Sequence, residues 1–296
     1  MNLRDLEYLL AVHELQHFTK AAEKCFVSQP TLSGQIRKME DELGIEMIER
    51  STRNVIFTTQ GEQIVEQALK VLQEVKTLKA IAKEATDAFS GEFHVGLIPT
   101  VGPYLLPHIV PAIGSEFPNL ELFLYELKTQ DLLLKLDNGK LDCGILARLD
   151  GMQQYDSIHL YDEPMLLAAP LGHVLAVSDP AAQSCLEGQT VLMLEDGHCL
   201  RDQALGYCFA AGANEDQHFR ATSLNTLEHM VAQGSGITVL PKLAKSASGN
   251  ALIVYRPFED PEPTREIVLL RRSSSTREKL TDAVADLVAK TTVPLL

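Results

Sequence analysis

The chain has 296 residues, enough for two or three packed units at roughly 100–200 residues each. Its net charge of −14 excludes a uniformly basic surface, and its five cysteines are too few, and odd in number, for a structural disulfide framework. The opening MNLRDLEYLLAVHELQHF mixes charged with apolar positions, unlike a signal peptide, and no apolar run reaches the ~20 residues that span a bilayer; the expectation is a soluble, cytoplasmic protein in a reducing compartment, with no membrane partner.

Basic charge is nevertheless focused locally. Residues 1–90 carry 11 Lys/Arg against 14 Asp/Glu, yet between positions 17 and 39 Lys20, Lys24, Arg37 and Lys38 face only Glu23. Leu3, Leu6, Leu10 and Val12 recur near helical spacing and predict a first helix over 3–15. A second is predicted from about Thr19 to Cys25, where Ala21 and Ala22 allow another helix to cross closely. Ser28 reads as the N-cap of a third helix with Pro30 in its first turn, an apolar stripe of Leu32, Ile36, Met39 and Leu43, and a stop at Gly44. At ~100° per residue the opposite face holds Pro30, Ser33, Gly34, Arg37 and Lys38, with Thr31 at its edge. RSTRNVIFTT then reads as a short hairpin, or wing, flanked by Arg50 and Arg53.

From Gly61 a long amphipathic stretch places Ile64, Ala68, Val71, Val75, Leu78, Ala82 and Ala85 at spacings that alternate between four and three. Such a stripe points to pairing with a second copy, as in a coiled coil; packing on its own chain is the alternative. Ser90 and Gly91 mark a hinge. Beyond it strand-like and helix-like segments alternate: FHVGLI, a proline-interrupted helix over about 104–115, LELFLYEL, a helix over about 131–138, DCGILA, MLLAA, VLMLE, HFRAT, GITVL and IVLLR. The alternation predicts mostly parallel α/β sheets, and chain crossings near Leu160 and Pro263 would make two lobes.

The segment FTKAAEKCFVSQPTLSGQIRKMEDELGIEMIERSTRNVIFTTQG resembles the winged helix-turn-helix of LysR-type transcriptional regulators, in its paired alanines, S-Q-P-T-L-S, L-G helix end, E-R-S-T-R wing and T-x-x-G. The resemblance covers the whole chain. It implies an all-α winged helix-turn-helix domain over 1–60, a linker and dimerisation helix over 61–90, and an α/β effector domain over 91–296. That domain would have two lobes and be like periplasmic binding proteins, with lobe I over about 91–162 and 264–296 and lobe II over about 163–263. On the family's pattern Gln29, Pro30, Thr31, Ser33 and Arg37 would enter the major groove of a double-stranded operator, while Arg50 and Arg53 would sit on the wing at phosphates or the minor groove. A dimer, in this family often a tetramer, and RNA polymerase are the partners implied.

Outside that domain the telling run is VLMLEDGHCLRDQALGYC. A strand ends at Glu195, DGH makes a turn, and a helix begins around Cys199. A thiol at a helix N-terminus sees the positive end of the backbone dipole, which favours thiolate and attack on peroxide; His198 and Arg201 could assist. The run resembles the redox centre of the peroxide-sensing LysR-type regulators, as does HFRATSLNTLEHMVAQGSGITVLP. By that resemblance Cys199 is the peroxidatic cysteine and Cys208 the resolving one. Thr100 and Thr129 would help to hold peroxide, His198, His218, Arg201 and Asp202 would lie around the site, and a glutaredoxin or thioredoxin type protein would reduce it. Arg265 in PEPTREI matches a basic position linked to thiolate stabilisation, but Glu266 follows where a neutral or basic residue is expected. Nine residues of helix would hold Cys199 and Cys208 ~13 Å apart on opposite faces, beyond the ~7 Å a disulfide tolerates, so pairing would require the segment to rearrange; Gly206 would help.

The plainer readings stand beside these. Cys25, Cys143 and Cys185 read as packing residues, Thr100 and Thr129 as helix caps, and Ser235 in GSG as a turn. No spacing suits a zinc site, and no cofactor is implied. Three functions remain: a peroxide-switched regulator, a regulator gated by a small metabolite in the effector cleft, and a thiol peroxidase. The DNA-binding segment disfavours the enzyme, and the Cys199–Cys208 run favours the redox switch over the metabolite gate.

Overall fold

The computed structural model describes residues 1–50, 55–84, 87–177, 179–248 and 250–296. Arg53 and Ala85 lie outside the described residues, as do the side chains of Arg50 and Ala82. The chain divides into two units, Met1–Ala85 and Thr86–Leu296.

The first unit comprises α1 (Leu3–Leu15), α2 (Phe18–Lys24), α3 (Gln29–Leu43), the antiparallel hairpin β1 (Ile48–Arg50) and β2 (Val55–Phe57), and α4 (Thr59–Glu84). Asn2 starts α1 with a reciprocal capping box to Asp5, satisfying two of the orphan amides at that end. The predicted second helix begins one residue early, because His17 supplies the N-cap through its ring nitrogen. Ser28 caps α3 as expected, and Gly44, with φ of +71°, ends it. Leu9, Val12, Ala21, Ala22, Leu32, Ile36 and Met39 close a single apolar core. The Glu40 carboxylate accepts the amides of Met47 and Ile48 at 2.8 and 3.1 Å, folding the hairpin back on α3.

Helix α4 starts at Thr59 rather than Gly61, and the reason Gly61 is glycine is contact: a Cβ there would lie 2.1 Å from the Met47 carbonyl oxygen. The heptad stripe divides along its length. Ala68 is buried in this unit's own core, with Ile64 packed against it, whereas Val71 is 37 % and Leu78 68 % exposed. The first turns therefore follow the own-chain alternative, and only the later part leaves apolar surface for a second copy.

The second unit runs β3 (Gly91–Leu97), α5 (Gly102–Glu116), β4 (Leu120–Glu126), α6 (Thr129–Asp137), β5 (Cys143–Ala147), β6 (Tyr155–Pro170), β7 (Thr190–Leu194), α7 (Cys199–Ala210), β8 (Asn214–Ala221), α8 (Leu224–Ala232), β9 (Thr238–Pro241), α9 (Lys242–Ser248), β10 (Ile253–Pro257), β11 (Thr264–Arg272) and α10 (Glu278–Thr292). The prediction of mostly parallel sheets needs correction. Pairing is parallel where a helix crosses over between strands, in β4-β3-β5 and in β7-β8, as right-handed crossovers require. The returning strands are antiparallel: β11 lies between β5 and the first part of β6, and the last part of β6 pairs with β9 and β10. The strand through Leu160 is thus one unbroken strand of 16 residues serving both sets of partners, and Pro263 immediately precedes β11.

The prolines of α5 do not interrupt it. Pro107 and Pro111 lie inside a continuous helix, and both are exposed together with Pro103. At i, i+4 spacing they stack on the solvent face, where water can serve the carbonyls they leave unpaired.

Candidate functional site

Two sets of residues carry the chemistry. In the first unit α3 turns Leu32, Ile36 and Met39 inward and leaves Gln29, Pro30, Thr31, Arg37 and Lys38 exposed, with Ser33 half-buried. A Cβ on Gly34 would meet nothing within 4 Å. The outward face is therefore small, polar and basic and free to approach a duplex closely, as the helical spacing predicted. Arg50 closes β1, opposite Val55.

In the second unit the chain leaves β7 at Leu194, and Glu195 is tied by its amide to Ala221. Gly197 takes a φ of +91° that favours glycine, and α7 begins at Cys199 with His198 as its N-cap. His198 makes no side-chain capping bond. Cys199 is 4 % exposed and Cys208, at the far end of the same helix, is wholly buried; both are free thiols. The helix is continuous from Cys199 to Ala210, so nine residues separate the Cα atoms by ~13 Å. Burial pushes the Cys208 thiol up to about 12, which keeps it protonated and a poor nucleophile.

Polar groups converge on the start of α7. Lys128, the residue before α6, donates to the Glu195 carboxylate at 2.5 Å and to the Asp196 carbonyl at 3.4 Å, and its stem covers Gly197. The next residue, Thr129, has its hydroxyl oxygen buried without a partner among the described residues, and so has His198 its Nε2. Buried polar atoms left unpaired are rare and call for a ligand or water. Burial lowers the His198 pKa, the Lys128 ammonium lowers it further, and Glu195 opposes both, so the imidazole is neutral at pH 7.

The remaining predicted residues distribute as follows. Arg265 is fully buried. It donates to Glu163 through Nε at 2.9 Å and Nη2 at 2.7 Å, and to the Thr100 hydroxyl and carbonyl at 2.9 Å each. Its charge is answered by Glu163, which also accepts the Leu243 amide. The Arg265 bonds hold the Thr100 hydroxyl and carbonyl in place. Glu266 points elsewhere, to Arg148 at 2.7 Å. Arg201 likewise forks onto Glu215 at 2.8 and 3.0 Å, with Asp196 at 3.4 Å and Asp202 at 3.8 Å, so it anchors α7 to β8. His218 is exposed, and its amide is held by Asp216; its side chain is not drawn into the cluster. Neither Thr100 nor Thr129 caps a helix: Val101 and Lys128 occupy the N-cap positions of α5 and α6.

Cys25, Cys143 and Cys185 have their thiols pushed up, first by burial, as packing residues would. Glu163, Glu215 and Lys128 were missed from sequence. Only Glu163 left a signal, a carboxylate immediately before the apolar run PMLLAA. Among the described residues no group of His, Cys, Asp and Glu is arranged to hold a metal, and no helix is long and apolar enough to cross a membrane.

Comparison with known proteins finds a match for each of the two units. Residues 3–62 match the family described as bacterial regulatory helix-turn-helix protein, lysR family, and residues 86–292 match the LysR substrate binding domain. The chain is 54 % identical over 292 residues to a hydrogen peroxide-inducible genes activator of Dickeya chrysanthemi, covering 97 % of this chain and 95 % of that one. It is 53 % identical over 292 residues, with the same coverage, to the DNA-binding transcriptional dual regulator OxyR of Escherichia coli K12. Among solved structures it superposes on full-length OxyR C199D from Pseudomonas aeruginosa with a TM-score of 0.80 at 35 % identity, covering 99 % of this chain and 96 % of that one. It also matches an oxidized form of OxyR (TM-score 0.64, 49 % identity) and a reduced form (0.65, 46 %), each covering 70 % of this chain and 98 % of the other. The chain belongs to the LysR family of bacterial regulatory helix-turn-helix proteins.

Proposed function

We propose that this chain is a DNA-binding transcriptional regulator of oxidative-stress genes, acting mainly as an activator and switched by hydrogen peroxide through a reversible disulfide between Cys199 and Cys208. The observation that carries the reading is the continuous α7, which starts at Cys199 beside buried polar atoms that lack partners among the described residues and carries Cys208 in the apolar core near its other end. Solved oxidized and reduced forms of a relative about half identical in sequence support a two-state protein.

In the first step the Cys199 thiolate attacks one peroxide oxygen; the O–O bond breaks, giving the sulfenic acid and hydroxide, and a proton yields water. The Thr129 hydroxyl and the neutral His198 Nε2 are the groups available to hold the peroxide and accept or return that proton, and Thr100, fixed by Arg265, lines the approach. In the second step the Cys208 sulfur displaces the sulfenic oxygen as water and the S–S bond forms. Since a disulfide needs Cα atoms within ~7 Å, α7 must come apart, and that displacement is the signal. Two electrons and two protons from a dithiol of the glutaredoxin or thioredoxin type restore the start.

The division we assign is a DNA-binding domain over 1–60, a linker over 61–90 and a two-lobed effector domain over 91–296. Gln29, Pro30, Thr31, Ser33 and Arg37 address the major groove, and Arg50 and Arg53 the backbone or minor groove. The regulator works in the cytoplasm as a homo-oligomer, at least a dimer, and answers to RNA polymerase. It is not an enzyme: its peroxide chemistry ends in its own change of shape.

Treating the reduced full-length protein with one equivalent of hydrogen peroxide and mapping peptides without reductant should give a Cys199–Cys208 cross-link. Cys199→Ser should remove it, and Cys208→Ser should stop at the sulfenic acid. A wild type without the cross-link, or a Cys199→Ser variant whose promoter binding still responds to peroxide, defeats the reading and returns the metabolite gate.

A further inference from the structure

Helix α2 ends in a turn whose hydrogen bonds normally demand glycine. The Phe26 amide donates to the Glu23 carbonyl at 3.1 Å and the Val27 amide to the Ala22 carbonyl at 3.0 Å, the paired bonds of a Schellman motif. The residue held between them adopts the left-handed conformation, and here it is Phe26, with φ of +55°. Side chains with a Cβ are strained in that region. Nor does packing repay the strain: Phe26 is 92 % exposed. Its neighbour Val27 turns inward to pack against the core, so the turn could close as well with glycine at 26 and bury the same apolar surface. Neither local conformation nor burial accounts for an aromatic ring at this position.

The start of α3, assigned above to the major groove, follows Phe26 closely along the chain. Ser28 caps that helix, and Gln29, Pro30 and Thr31, its first exposed residues, follow within a few positions; three residues of chain span at most ~11 Å. In the major groove one base presents an apolar group, the C5 methyl of thymine, and side chains such as phenylalanine read it by contact.

We propose that Phe26 is a base-reading residue, its ring packed on a thymine methyl at the edge of the half-site addressed by α3. The inference rests on the assignment of α3 to the major groove and adds a contact outside that helix. It explains why strain and exposure coexist at one residue: both act against the free protein, and the contact repays them only on DNA.

The test uses full-length protein and a duplex selected by the wild type from a random library, with each thymine replaced in turn by uracil, which lacks only the methyl. One position should lower wild-type affinity about fourfold per half-site, the value of one buried methyl. Phe26→Gly should bind the parent duplex at least fourfold more weakly per half-site and be indifferent to that uracil, with Phe26→Leu in between. The same Phe26→Gly protein should melt at or above the wild-type temperature, because the turn is relieved. A Phe26→Gly protein that melts lower and binds the parent duplex as the wild type does assigns the ring a structural role and overturns the proposal. So does a loss of affinity indifferent to every thymine, which would be a sugar-phosphate contact. Failure of the wild type to select any duplex would instead overturn the DNA-binding assignment itself.

Discussion

The two ends of α7 differ in almost every respect that matters to a thiol. At the Cys199 end the helix begins without a side-chain cap, next to buried polar atoms with no partner among the described residues, and is tied down by ion pairs through Lys128 and Arg201. At the Cys208 end the sulfur sits in the apolar core, and the Cys208 carbonyl accepts the amides of Ala211 and Ala213 at 3.1 and 3.0 Å. Both ends are buried in the same apolar cluster, but the Cys199 end is held by ion pairs as well as by packing. On the disulfide proposed above, the Cys208 thiol, pushed up by burial, stays protonated until the Cys199 sulfur reaches it.

This contrast can be broken at four places. The largest effect is expected at Glu163, the counter-charge of the Arg265 side chain that holds Thr100. Glu163→Gln leaves the buried Arg265 guanidinium without its counter-charge and should cost about 3–5 kcal/mol in urea unfolding of the reduced protein; an unchanged midpoint would mean that Arg265 finds water and that Thr100 is not rigidly held. The next effects have opposite pH signs at the two ends. Because burial raises the Cys208 thiol from about 9 to about 12, the folded state holds a proton there that the unfolded state loses. Stability from this group is full below about 9 and declines as pH rises, by about 1.4 kcal/mol per pH unit. Cys208→Ala should flatten that alkaline slope, and an identical slope in the variant would place the thiol in water.

At the other end the His198 pKa is lowered from its ordinary 6.5, so the folded state binds fewer protons. Its contribution is full above about 6.5 and is lost as pH falls below it, with a slope of at most about 1.4 kcal/mol per pH unit. His198→Gln should narrow the gap between unfolding midpoints at pH 7.5 and pH 5; an equal gap would mean that the ring is charged in the folded protein. The smallest effect belongs to Lys128, whose half-exposed pair with Glu195 is worth about 0–1 kcal/mol. Lys128→Gln should shift the dithiol-disulfide equilibrium in a glutathione buffer slightly toward disulfide, by an amount that vanishes at high salt. A shift that survives high salt would assign Lys128 to packing.

Local chemistry was legible in the sequence and long-range chemistry was not. Ser28, Gly44 and the DGH turn before Cys199 act within a few residues of themselves, so residue type alone located α3 and the start of α7. Glu163 lies 102 residues from Arg265, and Lys128 lies 67 residues from Glu195; no periodicity reports such a pairing. The same limit explains the sheet. Alternating segments announce crossovers, but which strands return antiparallel depends on β6 serving two groups of neighbours. In α4 the stripe revealed an apolar face without saying that its first turns are covered by the chain itself. Phe26 was silent for a different reason: a turn that selects glycine gives no warning when an aromatic stands there.

The divided stripe of α4 has a consequence for dosage. Its first turns are clothed by their own core, while Val71 and Leu78 are exposed; on the homo-oligomer proposed above, that later stretch is covered only at concentrations where two chains meet. Promoter occupancy should then climb with a power of cellular abundance greater than one, and a cell that halves its supply of this protein would lose more than half of its response.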